Sequence, residues 1–334
     1  MKHFFSRHLS TMLASVSMIL LANFVHAQAD TKPSKKPAAK KQNADPVVPT
    51  PTIKDVAYGE HERHRLDFWK AESNTPTPLV FVIHGGGWTS GSKERVGRFV
   101  NVEELLKNGI SVVSISYRYT SIAQAAKIEP PVKAPLEDAA RALQFVRSKS
   151  NEWNIDKSRI SATGGSAGAC SSLWLAFHND LAQPESSDPI SRESTRLWCA
   201  AVSGAQTSLD PKQMKEWTPN SKYGAHAFGI TVPKGENAFE KFLADRERIL
   251  PWIAEYSPYE LVSKDDPEIY LSYGAPPALG QEEKDPTHSA NFGLKLQEHC
   301  KAMGVTCSLQ YPGAKDVEHK NITSFLIAKL KATR

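Results

Sequence analysis

Metal chemistry has little to work with in this chain. Only four cysteines occur among 334 residues, and none stands at a C-x-x-C spacing. No cofactor site is expected. Charge of one sign is equally scarce in the part expected to fold. Residues 1–52 carry seven of the 41 Lys and Arg and two of the 36 Asp and Glu, which leaves 34 of each sign in the remainder. The net charge of +5 therefore belongs to the N-terminal segment, and the high isoelectric point makes no case for nucleic acid. There is no internal repeat, and no apolar run long enough to span a bilayer comfortably. The mostly apolar stretch from Leu9 to Ala22 is short and rich in Ser and Thr.

That stretch has another reading. Lys2 and Arg7 precede it, and Val25-His26-Ala27 offers small residues where a signal peptidase cleaves. Residues 1–27 are expected to be a signal peptide, cut after Ala27, which places the protein outside the cell or in the periplasm. No cysteine sits at that point, so no stable membrane anchor is expected. Residues 28–52 are Lys, Pro and Ala with few large apolar side chains, the composition of a flexible linker. The folded domain is expected over 53–334.

Within it, Asp55–Gly59 and Arg65–Trp69 alternate like an antiparallel pair, and Leu79–Ile83 and Ile110–Ile115 are continuous apolar runs typical of strands buried on both faces. Helical stretches at Val102–Asn108 and Pro135–Ser150 alternate with strands at Arg159–Thr163 and Leu197–Ser203. The alternation resumes later with Glu268–Tyr273, Asn291–Ala302, Val305–Tyr311 and Asn321–Lys331. Such a rhythm predicts an α/β fold with a mostly parallel central sheet and helices on both faces. Residues 205–256 interrupt it with aromatics among polar residues. They are expected to form a helical insertion after the sixth strand, a candidate cap.

The chain is organised around Gly164-Gly165-Ser166-Ala167-Gly168, between a strand and a helix. Glycines on both sides of the serine permit the sharp turn that exposes its hydroxyl above a sheet. Upstream, His84-Gly85-Gly86-Gly87-Trp88 follows a strand directly. Backbone amides there approach a ligand unobstructed, as stabilisation of a developing oxyanion requires. Ala167, next after the serine, supplies the partner amide. His84 is read as a loop-orienting hydrogen bonder, and Trp88 either lines an acyl pocket or packs the loop. For an orienting acid, Asp285, Glu282 and Glu283 all lie in the loop after the strand ending at Gly274, and Asp285 is preferred. For the base, His319 lies between the last strand and last helix, giving the order Ser, Asp, His. His288 follows Asp285 too closely to be its expected partner and is assigned at most a substrate contact. His299 falls inside a helix. Cys300 and Cys307 flank a tight corner where an oxidising compartment would let them bridge, whereas Cys170 and Cys199 fall on core elements.

HGGGW at 84–88, GGSAG at 164–168, Ser116-Tyr117-Arg118-Tyr119 after the second buried strand and the late histidine together resemble exported α/β-hydrolase-fold carboxylesterases. The hormone-sensitive-lipase-like and the acetyl-xylan and feruloyl esterase-like branch is the nearest. The resemblance runs from about Ile53 to the C-terminus. It implies an α/β-hydrolase fold and metal-free ester hydrolysis by a serine, with oxyanion donors carried onto Gly85, Gly86 and Ala167. The expected substrate is a short-acyl ester, small or polysaccharide-linked, with acetyl or feruloyl groups in view. A lipase is disfavoured by the want of a long apolar lid. The alternative from another class is a non-catalytic binding module that keeps the fold.

Overall fold

The computed structural model describes residues 47–332. The signal peptide expected at 1–27, and the linker up to residue 46, lie outside the described residues. Chain packing begins earlier than the Ile53 boundary, because the Trp69 indole donates to the Pro49 carbonyl at 2.7 Å and Val48 packs on the core.

Eight strands form one sheet: β1 (Ile53–Ala57), β2 (Arg65–Trp69), β3 (Thr77–Ile83), β4 (Ser111–Ile115), β5 (Ile155–Gly165), β6 (Cys199–Ser203), β7 (Glu268–Ser272) and β8 (Cys307–Gln310). Their spatial order is β1-β2-β4-β3-β5-β6-β7-β8. β2 pairs antiparallel with both β1 and β4, and every later pairing is parallel. β3 is buried at all seven positions and β4 at all five, as their unbroken apolar runs predict for strands covered on both faces.

The helices are α1 (Val102–Lys107), α2 (Thr120–Ala125), α3 (Lys133–Ser148), α4 (Ser150–Trp153), α5 (Ala167–Phe177), α6 (Pro211–Trp217), α7 (Ala238–Ala244), α8 (Arg246–Tyr256), α9 (Pro258–Leu261), α10 (Ala290–Met303) and α11 (Ile322–Lys331). Leu105 of α1 and Phe325, Leu326 and Leu330 of α11 join Val80, Val82 and Val112 on one face of the sheet. Leu136 and Leu143 of α3, Leu173 of α5 and Leu296 of α10 join Leu79, Phe81 and Ile83 on the other. The insertion after β6 is helical, as expected, and runs through α6–α9 before β7. All four cysteines are thiols. Cys300 and Cys307 flank the α10–β8 corner, and the neighbouring Cys300 side chain, together with burial, pushes the Cys307 thiol pKa well up.

This architecture places the C-terminal ends of β3, β5, β6 and β7 side by side, the edge where parallel α/β sheets assemble their sites. Two close approaches set the spacing. A Cβ at Gly168 would lie 2.1 Å from the Ile83 carbonyl oxygen, and one at Gly164 would lie 2.3 Å from the same atom. Only glycine lets α5 and β5 sit this tightly against the end of β3.

Candidate active site

Ser166 occupies the turn between β5 and α5 with φ 54° and ψ −123°. For a residue with a Cβ this conformation costs about 1–3 kcal/mol, which the surrounding packing must offset. Its amide donates to the Ser203 carbonyl at 3.0 Å, tying the turn to the end of β6. The result is a hydroxyl projected away from the sheet at the N-terminus of α5. Ala167, the first residue of that helix, has no carbonyl one turn earlier to receive its amide hydrogen.

The glycine loop stands against this turn. A Cβ at Gly85 would meet the Gly165 carbonyl at 2.5 Å, so the loop backbone touches the elbow. Side chains from elsewhere brace the loop. The Tyr117 hydroxyl donates to the His84 carbonyl at 2.8 Å, and the Arg63 guanidinium donates to the Gly91 carbonyl at 2.9 Å. His226 of the insertion lies 2.8 Å from the Gly87 carbonyl through Nε2. His84 performs the orienting role expected of it, its Nδ1 lying 2.7 Å from the Gly85 carbonyl while its ring stacks on Tyr117. Burial pushes its pKa down to about 4, so it is neutral near pH 7. Trp88 is completely buried and its indole donates to the Ser171 hydroxyl at 3.0 Å. Of the two roles considered for it, its burial and this bond fit packing of the loop, and it is not among the described residues lining the cavity over Ser166.

The histidine beside Ser166 is not the one expected from chain order. His288 Nε2 lies 2.9 Å from Ser166 Oγ, and His288 Nδ1 lies 2.8 Å from Asp285 Oδ2. His319 is elsewhere. Its ring meets Phe325 of α11 edge-on, its Nε2 is buried with no hydrogen-bond partner among the described residues and the Glu318 carboxylate 3.7 Å away, and its carbonyl accepts from Tyr270 at 3.0 Å. The physical reason lies in the short 3-10 turn Pro286–His288. Residues three apart in such a turn eclipse one another. Asp285 and His288 therefore share one side of a single loop, so the closeness that counted against the pair is what joins it.

The three candidate acids separate clearly. Glu283 accepts from the Ser289 hydroxyl at 2.5 Å, and its backbone is clamped by Asn220 of the insertion. Among the described residues, no contact joins Glu282 to a histidine. Asp285 alone of the three meets one. Burial opposes its charge, but hydrogen bonds and attraction from His288, with the backbone amide of Thr287, outweigh that and hold its carboxyl below the usual range.

Two residues in the setting of the dyad carry no sequence motif. Gln206, fully buried beyond β6, donates to the Thr287 carbonyl at 2.6 Å and pins the loop between Asp285 and His288. Gly204 adopts φ 56°, and a Cβ there would come within 3.3 Å of the His288 ring. Asp285 and His288 stay at the rim, with side chains 64% and 40% exposed. A cavity of about 360 Å³ opens over Ser166 and His288, lined also by Gly85, Gly86, Arg95 and Phe99. Among the described residues, no three His, Cys, Asp or Glu side chains converge as a metal site requires.

A hydroxyl on a strand-to-helix turn, an imidazole within hydrogen-bond reach, a carboxylate behind it and a glycine loop packed against the turn can together serve acyl transfer. Known proteins resemble the chain in sequence and in fold. The chain is similar to the "probable carboxylic ester hydrolase LipM" of Mycobacterium tuberculosis, 34% identical over 133 residues, 38% of this chain. That stretch spans 28% of LipM. Among solved structures, a truncated carbohydrate esterase from gut microbiota superposes with a TM-score of 0.60 at 21% identity, covering 84% of this chain and 96% of that one. An acetyl ester-xyloside bifunctional hydrolase from Caldicellulosiruptor lactoaceticus superposes with a TM-score of 0.54 at 23% identity, covering 82% and 83%. The α/β-hydrolase fold is thus shared. The BD-FAE family profile matches residues 66–279, from β2 through the glycine loop and the elbow to the loop after β7. With more than half of its length matched, the chain belongs to BD-FAE, an α/β-hydrolase esterase family.

Proposed function

We propose that this protein is a serine carboxylic ester hydrolase whose nucleophile is Ser166, whose base is His288 and whose orienting acid is Asp285. The observation that carries the proposal is the unbroken relay of 2.9 Å and 2.8 Å contacts from Ser166 Oγ through the His288 ring to Asp285. Asp285 favours the tautomer with hydrogen on Nδ1, which leaves the Nε2 lone pair facing the hydroxyl. As Ser166 Oγ bonds to the ester carbonyl carbon, His288 takes the hydroxyl proton and the carbonyl electrons move onto oxygen. Amides of Gly85, Gly86 and Ala167 hold that oxyanion. The tetrahedral centre collapses, the C–O bond to the leaving alcohol breaks, and His288 returns its proton to that oxygen. Water then repeats the sequence on the acyl-enzyme and releases the carboxylic acid.

Short acyl esters on saccharides are the substrates we assign. Supporting this are the naming of the solved neighbours as carbohydrate and acetyl ester-xyloside hydrolases, and the openness of the rim at Asp285. Export is part of the same proposal, supported by the n-region, apolar stretch and cleavage residues of 1–27. Among the described residues no helix is long and apolar enough to cross a membrane.

Hydrolysis of 4-nitrophenyl acetate and labelling by a fluorophosphonate test the reading. Wild type is expected to turn over and label, and both are expected to vanish in Ser166→Ala. A wild-type protein inert in both assays would make it a binding module instead.

A further inference from the structure

His288 borders two cavities. The first, over Ser166, holds the hydroxyl and part of the glycine loop. The second, of about 680 Å³ and almost twice as large, lies against the loop after β7 and has neither among its described lining residues. Asp285 and His288 stand at its edge, so the His288 ring is the element the two spaces share. Proton transfer decides what each space takes. The ester carbonyl must face the amides of the glycine loop, whereas the leaving oxygen must come within hydrogen-bond reach of His288. The alcohol portion of the ester therefore departs on the His288 side.

The wall of the larger cavity is irregular chain, yet it is held at three points. Residues 275–284 contain no helix or strand. Asn291, fully buried in the first turn of α10, accepts from the Ala278 amide at 2.7 Å and donates to its carbonyl at 3.2 Å. The Gly280 amide donates to the Trp217 carbonyl at 3.0 Å. Asn220 donates to the Glu283 carbonyl at 2.8 Å and accepts from its amide at 3.1 Å. A loop tied in this way offers a preformed surface, and a ligand seated on it has little ordering to impose. The surface is mixed in character. Gly274, Ala275, Pro276 and Ala278 are small and leave room; a Cβ at Gly274 would meet no atom within 4 Å. Lys284, exposed, forms no ion pair with any described residue and keeps three donors available. Small apolar faces beside a few polar groups match a pyranose, which presents C–H faces and hydroxyl edges.

We infer that the cavity between Gly274 and His288 is the subsite for the alcohol portion of the substrate, and that it takes an oligosaccharide rather than a single sugar. The esterase reading above underlies this inference, which adds to it where the sugar lies and how large it is. The acyl group stays on the Ser166 side of the His288 ring, in the smaller space.

Three substrate pairs test it, each with one acetyl group on the same oxygen and differing only in the size of the alcohol. The 3-O-acetyl methyl β-glycosides of xylose, mannose and glucose are compared with xylotriose, mannotriose and cellotriose acetylated at the same oxygen of the middle residue. In at least one pair the wild-type kcat/KM is expected to favour the trisaccharide by about tenfold or more, the gain of one or two net hydrogen bonds. Gly274→Phe places a ring in the cavity from a position where the added Cβ is unobstructed and φ lies outside the left-handed region. It is expected to bring that ratio toward one. Lys284→Ala, at an exposed and unpaired position, is expected to lower the ratio by about threefold or more. Should Gly274→Phe fail to fold, Lys284→Ala decides. Equal kcat/KM within all three pairs would overturn the inference, as would a ratio unmoved in Lys284→Ala and in a folded Gly274→Phe. Continued turnover of 4-nitrophenyl acetate in either case would leave the esterase reading intact. No turnover of any ester, together with no fluorophosphonate labelling, would overturn both.

Discussion

Replacing Asp285 by Asn is the most informative single change, because the exposure of the dyad sets how much the acid can contribute. During attack His288 becomes an imidazolium about 4 Å from the carboxylate charge. Such a pair is worth about 1 kcal/mol in bulk water and about 4 kcal/mol at an effective dielectric constant of 20. With Asp285 and His288 at 64% and 40% exposure, the pair lies between those limits. About 2 kcal/mol of transition-state stabilisation is therefore at stake, equivalent to roughly 30-fold in kcat. An exposed amide can also rotate its oxygen toward Nδ1–H and keep the productive tautomer. The loss should accordingly fall far short of the ~10⁴-fold seen when a buried triad acid is changed. Initial rates on 4-nitrophenyl acetate for wild type, Asp285→Asn, Ser166→Ala and His288→Ala provide the measurement, and the last two should lose 10³-fold or more. A 10⁴-fold deficit in Asp285→Asn would sink the screening argument. A deficit under twofold would remove Asp285 from the site.

Two further predictions concern the scaffold. His84 has a pKa near 4 in the folded chain against about 6.5 when unfolded, so between those values the unfolded chain binds more protons. The contribution is fully present above pH 6.5 and is lost as pH falls toward 4, by about 3 kcal/mol. Urea melts across pH 4–7.5 should show His84→Gln losing less stability on acidification than wild type; parallel curves would refute the burial argument. Gly168→Ala should cost about 3 kcal/mol or more, or prevent folding, since its Cβ would stand 2.1 Å from the Ile83 carbonyl. A wild-type melting temperature in that variant would show that α5 can move away from β3.

What the sequence disclosed, and what it hid, follow one physical line. The elbow and the glycine loop were legible because close backbone approach demands glycine at fixed positions, and Gly164, Gly168 and Gly85 meet that demand in the fold. The buried strands were legible because two-sided burial writes unbroken apolar runs. His288 was not, because the argument from chain order assumed that acid and base come from different loops. A one-turn 3-10 segment of Pro, Thr and His has no periodicity to reveal it. Gln206 is likewise silent in sequence: its role depends on a contact with Thr287, 81 positions away. Arg95 and Arg98 sit in a stretch where alternating charges suggest only a solvated surface, and the cavity they border exists only once β3, β5 and β6 are aligned.

The proposed assignment puts acid and base together after β7, with a consequence for the segment after β8. In the arrangement expected from chain order, residues 311–321 would carry the base, and their conformation would control the reaction. Here that segment is linked to the core through the His319 carbonyl, its ring on Phe325, and Val317 packed beside α11. None of these contacts touches Ser166, His288 or Asp285. On the proposed assignment the segment therefore carries no catalytic duty. Substituting residues 314–318 by Gly and Ser removes the Val317 contact, worth about 1–2 kcal/mol by its partial burial, and adds some unfolded-state entropy. The melting temperature should fall by a few degrees, while kcat/KM on 4-nitrophenyl acetate stays within about threefold of wild type. His319→Ala should behave in the same way. A hundredfold loss of activity in either variant, with the melting temperature little changed, would return the base to the β8 segment and undo the assignment of His288.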